Sequence, residues 1–134
     1  MKFGHVAISV ANLQRSVSFY RRVFGLVCKE KYGHPALGMV IALLKKGDIA
    51  LELFEFKKRV PLPRYRKKLK SDLHTLGVKH FSIEVDAIER FYKKLKKSRV
   101  GIEIPLSVFD SGARYFFIKD PDGILVEVME VQKP

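Results

Sequence analysis

The chain has 134 residues, with 26 Lys and Arg against 14 Asp and Glu and a net charge of +12. That length suits one ordinary domain with a real core, and no apolar run is long enough to span a membrane. A single cysteine, Cys28, excludes an internal disulfide. With no signal-peptide pattern ahead of the first strand-like segment, it sets the expectation of a cytoplasmic protein.

Residues 3–10 alternate as a strand, with His5, Ala7 and Ser9 on one face and Val6, Ile8 and Val10 on the other. Asn12 fits a helix N-cap. Leu13, Ser16, Val17, Tyr20 and Phe24 then recur at helical spacing as far as Gly25, which suits the helix C-terminus. Residues 26–31 read as a strand and 32–38 as a loop. Residues 39–44 and 49–56 are two further strands joined by Lys45-Lys46-Gly47-Asp48. The first module, 1–56, is therefore β-α-β-β-β.

Residues 57–77 form a basic connector. Its first part, 57–70, carries eight Lys and Arg and no acidic residue, and Pro61 and Pro63 break it. Tyr65, Leu69, Leu73 and Leu76 predict a helix that ends near Gly77. The charge suits either an anionic partner or a solvated, lysine-rich surface of the kind found in heat-adapted proteins. No nucleic-acid motif accompanies it, so the solvated surface is favoured and nucleic acid is not an expected partner.

From Val78 the pattern begins again, as module 78–134. Residues 79–85 are a strand. Asp86 and Glu89 resemble a helix-start capping pair, and Ile88, Phe91, Tyr92 and Leu95 form the apolar stripe of a second helix. Gly101 follows, then a strand over 102–104 and a loop through Gly112. Residues 115–130 read as a β-hairpin whose Asp120-Pro121-Asp122-Gly123 fits a type I turn. Glu127 sits in the second strand of that hairpin among Ile124, Leu125, Val126, Val128 and Met129, where a carboxylate must find a partner.

The second half repeats the first, shifted by 75 positions. His5-Val6-Ala7-Ile8-Ser9-Val10 lies over His80-Phe81-Ser82-Ile83-Glu84-Val85. Residues 49–55 lie over 124–130, so that in both halves a His and a Glu are 47 residues apart. Two such modules can pair about a pseudo-two-fold axis and bring His5, Glu52, His80 and Glu127 to one point. Imidazole nitrogens and carboxylate oxygens make a mixed donor set for a divalent metal, and the two negative charges offset those of the ion. Six-coordinate geometry would leave two adjacent positions open for water or substrate oxygens.

The paired modules, HVAISV with IALELFE and KHFSIEV with KDPDGILVEVME, resemble the vicinal oxygen chelate superfamily, whose glyoxalase I branch is the nearest model. The resemblance covers nearly the whole chain. It implies a single α+β domain over 1–134, in which the two β-α-β-β-β modules form a curved mixed β-sheet, the glyoxalase-like fold. It also implies His5, Glu52, His80 and Glu127 as ligands of one divalent ion per site, Ni²⁺, Co²⁺, Zn²⁺ or Mn²⁺. The implied activity is a lyase or isomerase of the lactoylglutathione lyase type. It acts on a small substrate with two vicinal oxygens through an enediolate or enolate, with Glu127 or Glu52 as the base. A homodimer is expected on the same ground.

The glyoxalase I branch carries an Arg and an Asn that contact glutathione; here Ser9 and Phe56 stand in their places. A methylmalonyl-CoA epimerase-like enzyme is therefore the second reading, although the generic DPDG turn is not the epimerase pattern. The third is a non-catalytic protein that binds drugs, or a dioxygenase, on the same scaffold. Phe54, Tyr115, Phe117 and Met129 are candidate substrate-pocket residues, with ordinary core packing as their alternative. His34 and His74 lack the repeat relation and read as surface or loop residues, and Cys28 as a small strand side chain.

Overall fold

The computed structural model describes residues 1–131, so the last three residues of the second repeat lie outside the described residues. The chain divides into two compact units, Met1–Pro61 and the part from Leu62 onward. In the first, β1 (Val6–Ser9), α1 (Leu13–Phe24), β2 (Val27–His34), β3 (Met39–Lys46) and β4 (Ile49–Phe56) follow in order. Their sheet runs β1-β4-β3-β2, with β1 parallel to β4 and the other pairs antiparallel. In the second, α2 (Leu69–Asp72) precedes β5 (Phe81–Glu84), α3 (Ile88–Lys96), β6 (Gly101–Val108), β7 (Arg114–Lys119) and β8 (Leu125–Glu130). That sheet runs β5-β8-β7-β6, with β5 parallel to β8. The expected mixed sheet is thus present as two four-stranded sheets with the same topology, one in each repeat.

Local chemistry sets the first helix. Asn12 is extended and its Oδ1 accepts the backbone N–H of Arg15 at 2.8 Å, satisfying one of the donors a helix start leaves open. At the other end Gly25 takes the left-handed conformation, φ +72°, and its N–H reaches the carbonyl of Arg21. Leu13, Phe19, Tyr20, Val23 and Phe24 are buried along the face turned to β3 and β4. The same sheet face carries Ala42, Leu44, Leu51 and Leu53, all buried.

The second helix starts differently from expectation. Its N-cap residue is Ala87, which has no side chain for the task. Glu130 Oε1 accepts the N–H of Ile88 at 3.3 Å instead. The first unit does the same, with Glu55 Oε2 accepting the N–H of Leu13 at 2.6 Å. Leu13 and Ile88, like Glu55 and Glu130, are 75 positions apart, so the long-range cap is itself part of the repeat.

Three further elements depart from the sequence pattern. β2 continues through Tyr32 to His34, where a loop was expected, because it keeps pairing with β3 beyond a bulge between Cys28 and Glu30. It is an edge strand exposed along its whole length, so nothing selects an alternating pattern. β6 likewise extends to Val108, with two irregularities around Ile104 and with Pro105 tolerated at the sheet edge. The connector helix reduces to a 3₁₀ turn, Arg64–Lys67, and the single turn α2. Leu73 and Leu76 are exposed, so the apolar spacing there finds no surface to pack on. The hairpin turn forms as read: the N–H of Gly123 donates to the carbonyl of Asp120 at 3.0 Å, and Asp120 Oδ1 accepts from Asp122 and Ile124.

Glu130→Ala should lower stability by about 1–2 kcal/mol, the upper range for a lost helix cap, since it also strips a partner from Arg114. Glu89→Ala, at an exposed position that also pairs with Arg114, should cost less than about 1 kcal/mol. Urea denaturation of the two variants would test the ranking.

Candidate metal centre

Alternation along β4 and β8 decides which face each carboxylate takes. In β4, Leu51, Leu53 and Glu55 share the side of α1, so Glu52 projects from the opposite face. In β8, Val126, Val128 and Glu130 share the side of α3, and Glu127 projects from the other. The parallel strand beside each carboxylate then sets its neighbour. Ala7 is the register partner of Glu52 and Ser82 that of Glu127. The histidine two positions earlier lies on the same face, one diagonal step away.

The side chains complete the approach. His5 Nε2 stands 3.3 Å from Glu52 Oε2, and His80 Nε2 stands 3.5 Å from Glu127 Oε2. Two donors each ~2.1 Å from one ion lie ~3.0 Å apart at a right angle and ~3.4 Å apart at a tetrahedral one. The His5–Glu52 spacing falls within that range and the His80–Glu127 spacing just beyond it, and the paired atoms are those that ligate metals. Each unit thus presents a bidentate imidazole–carboxylate pair that fits a divalent cation.

The two pairs are not equally open. Glu127 is 7% exposed, whereas half of the His5 side chain is exposed. The His80 ring meets Phe117 edge-on at 4.9 Å, and Phe117 is also the register partner of Glu127. Phe117 and Tyr115 are themselves in contact, with ring centroids 6.1 Å apart. Met129 pairs with Tyr115 in register, on the face of Glu127. Phe54 lies on the face of Glu52, with Ser9 and Ile41 as register partners. The four candidate pocket residues therefore sit on the ligand faces. Phe117 is 2% exposed, so packing is at least part of its role.

Several further residues share these faces, and of them only His34 is weighed from the sequence, as a surface or loop residue. Phe109 stacks on Tyr115 at 3.8 Å with an angle of 15° between ring planes, extending the aromatic row away from His80. Glu30, Tyr32 and His34 line the far edge of the Glu52 face, opposite Leu43, Ile41 and Met39. Phe109 carried no signal, since it lies in a turn. Glu30, Tyr32 and His34 alternate, but the expected boundary between a strand over 26–31 and a loop over 32–38 falls among them, whereas β2 pairs with β3 through His34. His74 and Cys28 are exposed, and neither joins the pairs.

A model of the Glyoxalase/Bleomycin resistance protein/Dioxygenase superfamily matches residues 2–128. The chain belongs to that superfamily. Among curated relatives, mitochondrial methylmalonyl-CoA epimerase of Homo sapiens is 27% identical over 131 residues, 95% of this chain and 72% of that protein. Metallothiol transferase FosB of Shouchella clausii is 28% identical over 131 residues, 93% of this chain and 77% of that protein. The crystal structure of a glyoxalase family protein from Enterococcus faecalis superimposes with a TM-score of 0.81 at 29% identity, over 96% of this chain and 97% of that one. The fold is the glyoxalase-like α+β fold. An epimerase and a transferase are enzymes, and no helix among the described residues is long and apolar enough to cross a membrane.

With a divalent ion such as Ni²⁺, Co²⁺, Zn²⁺ or Mn²⁺, calorimetric titration should show about one ion per assembled site. His80→Ala and Glu127→Gln should each weaken binding beyond the ~10–100-fold that even an outer-shell partner is worth. Wild-type affinity in both variants would remove the assignment of these ligands.

Proposed function

We propose that the protein is a divalent-metal-dependent enzyme of the glyoxalase I type, a lyase or isomerase that moves a proton beside a carbonyl in a small substrate with two vicinal oxygens. The observation that carries this reading is the duplicated His–Glu pair at matched strand register and matched donor spacing. Pairing of two modules would unite His5, Glu52, His80 and Glu127 around one ion. Family membership and the metal-suited donor set support it. When bound, the ion supplies Lewis acidity toward the two substrate oxygens.

Glu127 is the favoured base. It is the more buried carboxylate, and Phe117 and His80 close around it, so a proton taken from carbon is shielded from bulk water. The carboxylate takes the proton from one carbon and returns it to the same or the adjacent carbon, leaving the enzyme unchanged. Glu52, on the more open face, is the second candidate. Phe54, Tyr115 and Met129 would shape the space for the rest of the substrate. A cytoplasmic homodimer is part of the proposal. Its sites form either within a chain or from the first module of one chain and the second of its partner.

The relation to human methylmalonyl-CoA epimerase, which spans 95% of the chain, favours a second reading: epimerisation next to a thioester carbonyl. Inverting a centre requires a proton removed from one side and delivered on the other, which suits two carboxylates contributed by two modules.

Metal-loaded protein should be offered the thiohemiacetal of methylglyoxal and glutathione, and separately methylmalonyl-CoA, in deuterated solvent. Turnover of the first supports the lyase reading; exchange at the second substrate's acidic carbon supports the epimerase reading. With whichever substrate reacts, Glu127→Gln should slow proton exchange by roughly a hundredfold or more. A normal rate in Glu127→Gln together with a slow one in Glu52→Gln reverses the two roles, and normal rates in both remove the mechanism.

Assembly is read separately. Light scattering should give a dimer. A heterodimer of a His5→Ala chain and a His80→Ala chain should regain one metal site if sites form across chains and none if they form within a chain.

A further inference from the structure

The charge of this chain is concentrated along the sequence. Within the second unit, residues 62–99 hold 12 Lys and Arg against 4 Asp and Glu, whereas residues 100–134 hold 3 against 6. A lysine-rich coat that served only solubility would be spread more evenly. Two of the four acids are already paired. Asp72 is buried against Arg66 and Lys79, and Glu89 pairs with Arg114.

In the second unit the fold gathers those cations at one end. Lys67 lies over the β7–β8 turn, so close that a Cβ on Gly123 would fall 2.9 Å from its side-chain carbons. Around it Arg64, Lys68 and Lys70 are exposed. α3 runs back toward the same end: it finishes at Lys96, shortly before β6 opens with Gly101, the register partner of Lys119 beside that turn. The outer face of α3 and the residues after it present Arg90, Lys93, Lys94, Lys96, Lys97 and Arg99, all exposed. Helix-dipole complementarity would account for cations in the last turn alone. It does not explain the exposed Arg64, Lys68 and Lys70.

We propose that this end of the second unit binds the phosphate backbone of nucleic acid without reading sequence. A small substrate with two or three phosphates would leave most of these cations unmatched. α3 alone is ~13 Å long, a length over which a duplex carries about eight phosphates. The polar-tipped, exposed Tyr65 lies within the basic run and adds a ring against which a sugar or base can rest. The α3 part of this surface lies on the side of the sheet opposite Glu127.

Fluorescence anisotropy of a labelled 20-base-pair DNA duplex tests this with the full chain. Binding is expected at 50 mM salt, with log K falling linearly as log salt rises. Two variants with the same loss of charge separate a site from net charge. Lys68→Gln/Lys93→Gln/Lys94→Gln/Lys97→Gln should lower affinity at least tenfold. Arg21→Gln/Arg22→Gln/Lys29→Gln/Lys31→Gln should lower it less than threefold, with circular dichroism confirming that both fold. Equal losses, or no binding at 50 mM salt, overturn the proposal. So does equal competition by polyglutamate at matched charge, or displacement of the duplex by stoichiometric coenzyme A, which would assign the surface to acidic chains in general or to substrate phosphates.

Discussion

A carboxylate in the middle of an inner β-strand is the constraint on which the rest of this structure depends. β4 and β8 are each hydrogen-bonded on both sides, so Glu52 and Glu127 cannot swing past a sheet edge into water. Their nearest cross-strand neighbours are small on one side, Ala7 and Ser82, and large on the other, Leu43 and Phe117. The small side leaves room for the imidazole two positions earlier to lean over the carboxylate. Leaving such a group without a partner would cost a few kcal/mol, and more if it were fully desolvated. The His–Glu approach is thus enforced by parallel register on one side and by desolvation cost on the other.

Strand parity gives each of these strands a second task. Glu52 and Glu55 are three residues apart, as are Glu127 and Glu130, so the members of each pair leave opposite faces of the sheet. One carboxylate of each pair faces the candidate metal centre. The other anchors the first turn of the unit's long helix through its backbone N–H. A slip of one residue would exchange the two roles, placing a cap on the ligand face and a ligand against the helix. The helix cap therefore helps hold the register that the candidate site needs.

Duplication did not leave the two halves equivalent. The second half has the more buried pair and a row of rings, from His80 through Phe117 and Tyr115 to Phe109. In the first half the corresponding edge strand carries Glu30, Tyr32 and His34, all exposed.

Much of this was legible in the sequence, and the physical reason is range. Period-two and helical patterns, the Asn12 cap, the Gly25 terminus and the Asp120 turn depend on neighbours within about four residues, and each was readable. The repeat was readable because two copies report the same spacing, and it singled out His5, Glu52, His80 and Glu127. Edge strands were read short, because β2 and β6 take their boundaries from pairing with β3 and β7 rather than from their own patterns. The connector's apolar spacing predicted a helix that tertiary packing did not support, since Leu73 and Leu76 meet no surface. Ala87 and Glu130 are 43 positions apart, and only the fold puts that carboxylate at the start of α3. Spacing alone proposed the ligand pairs; strand order and parallel register decided which faces they share and how closely their atoms approach, because those depend on contacts between residues far apart in the chain.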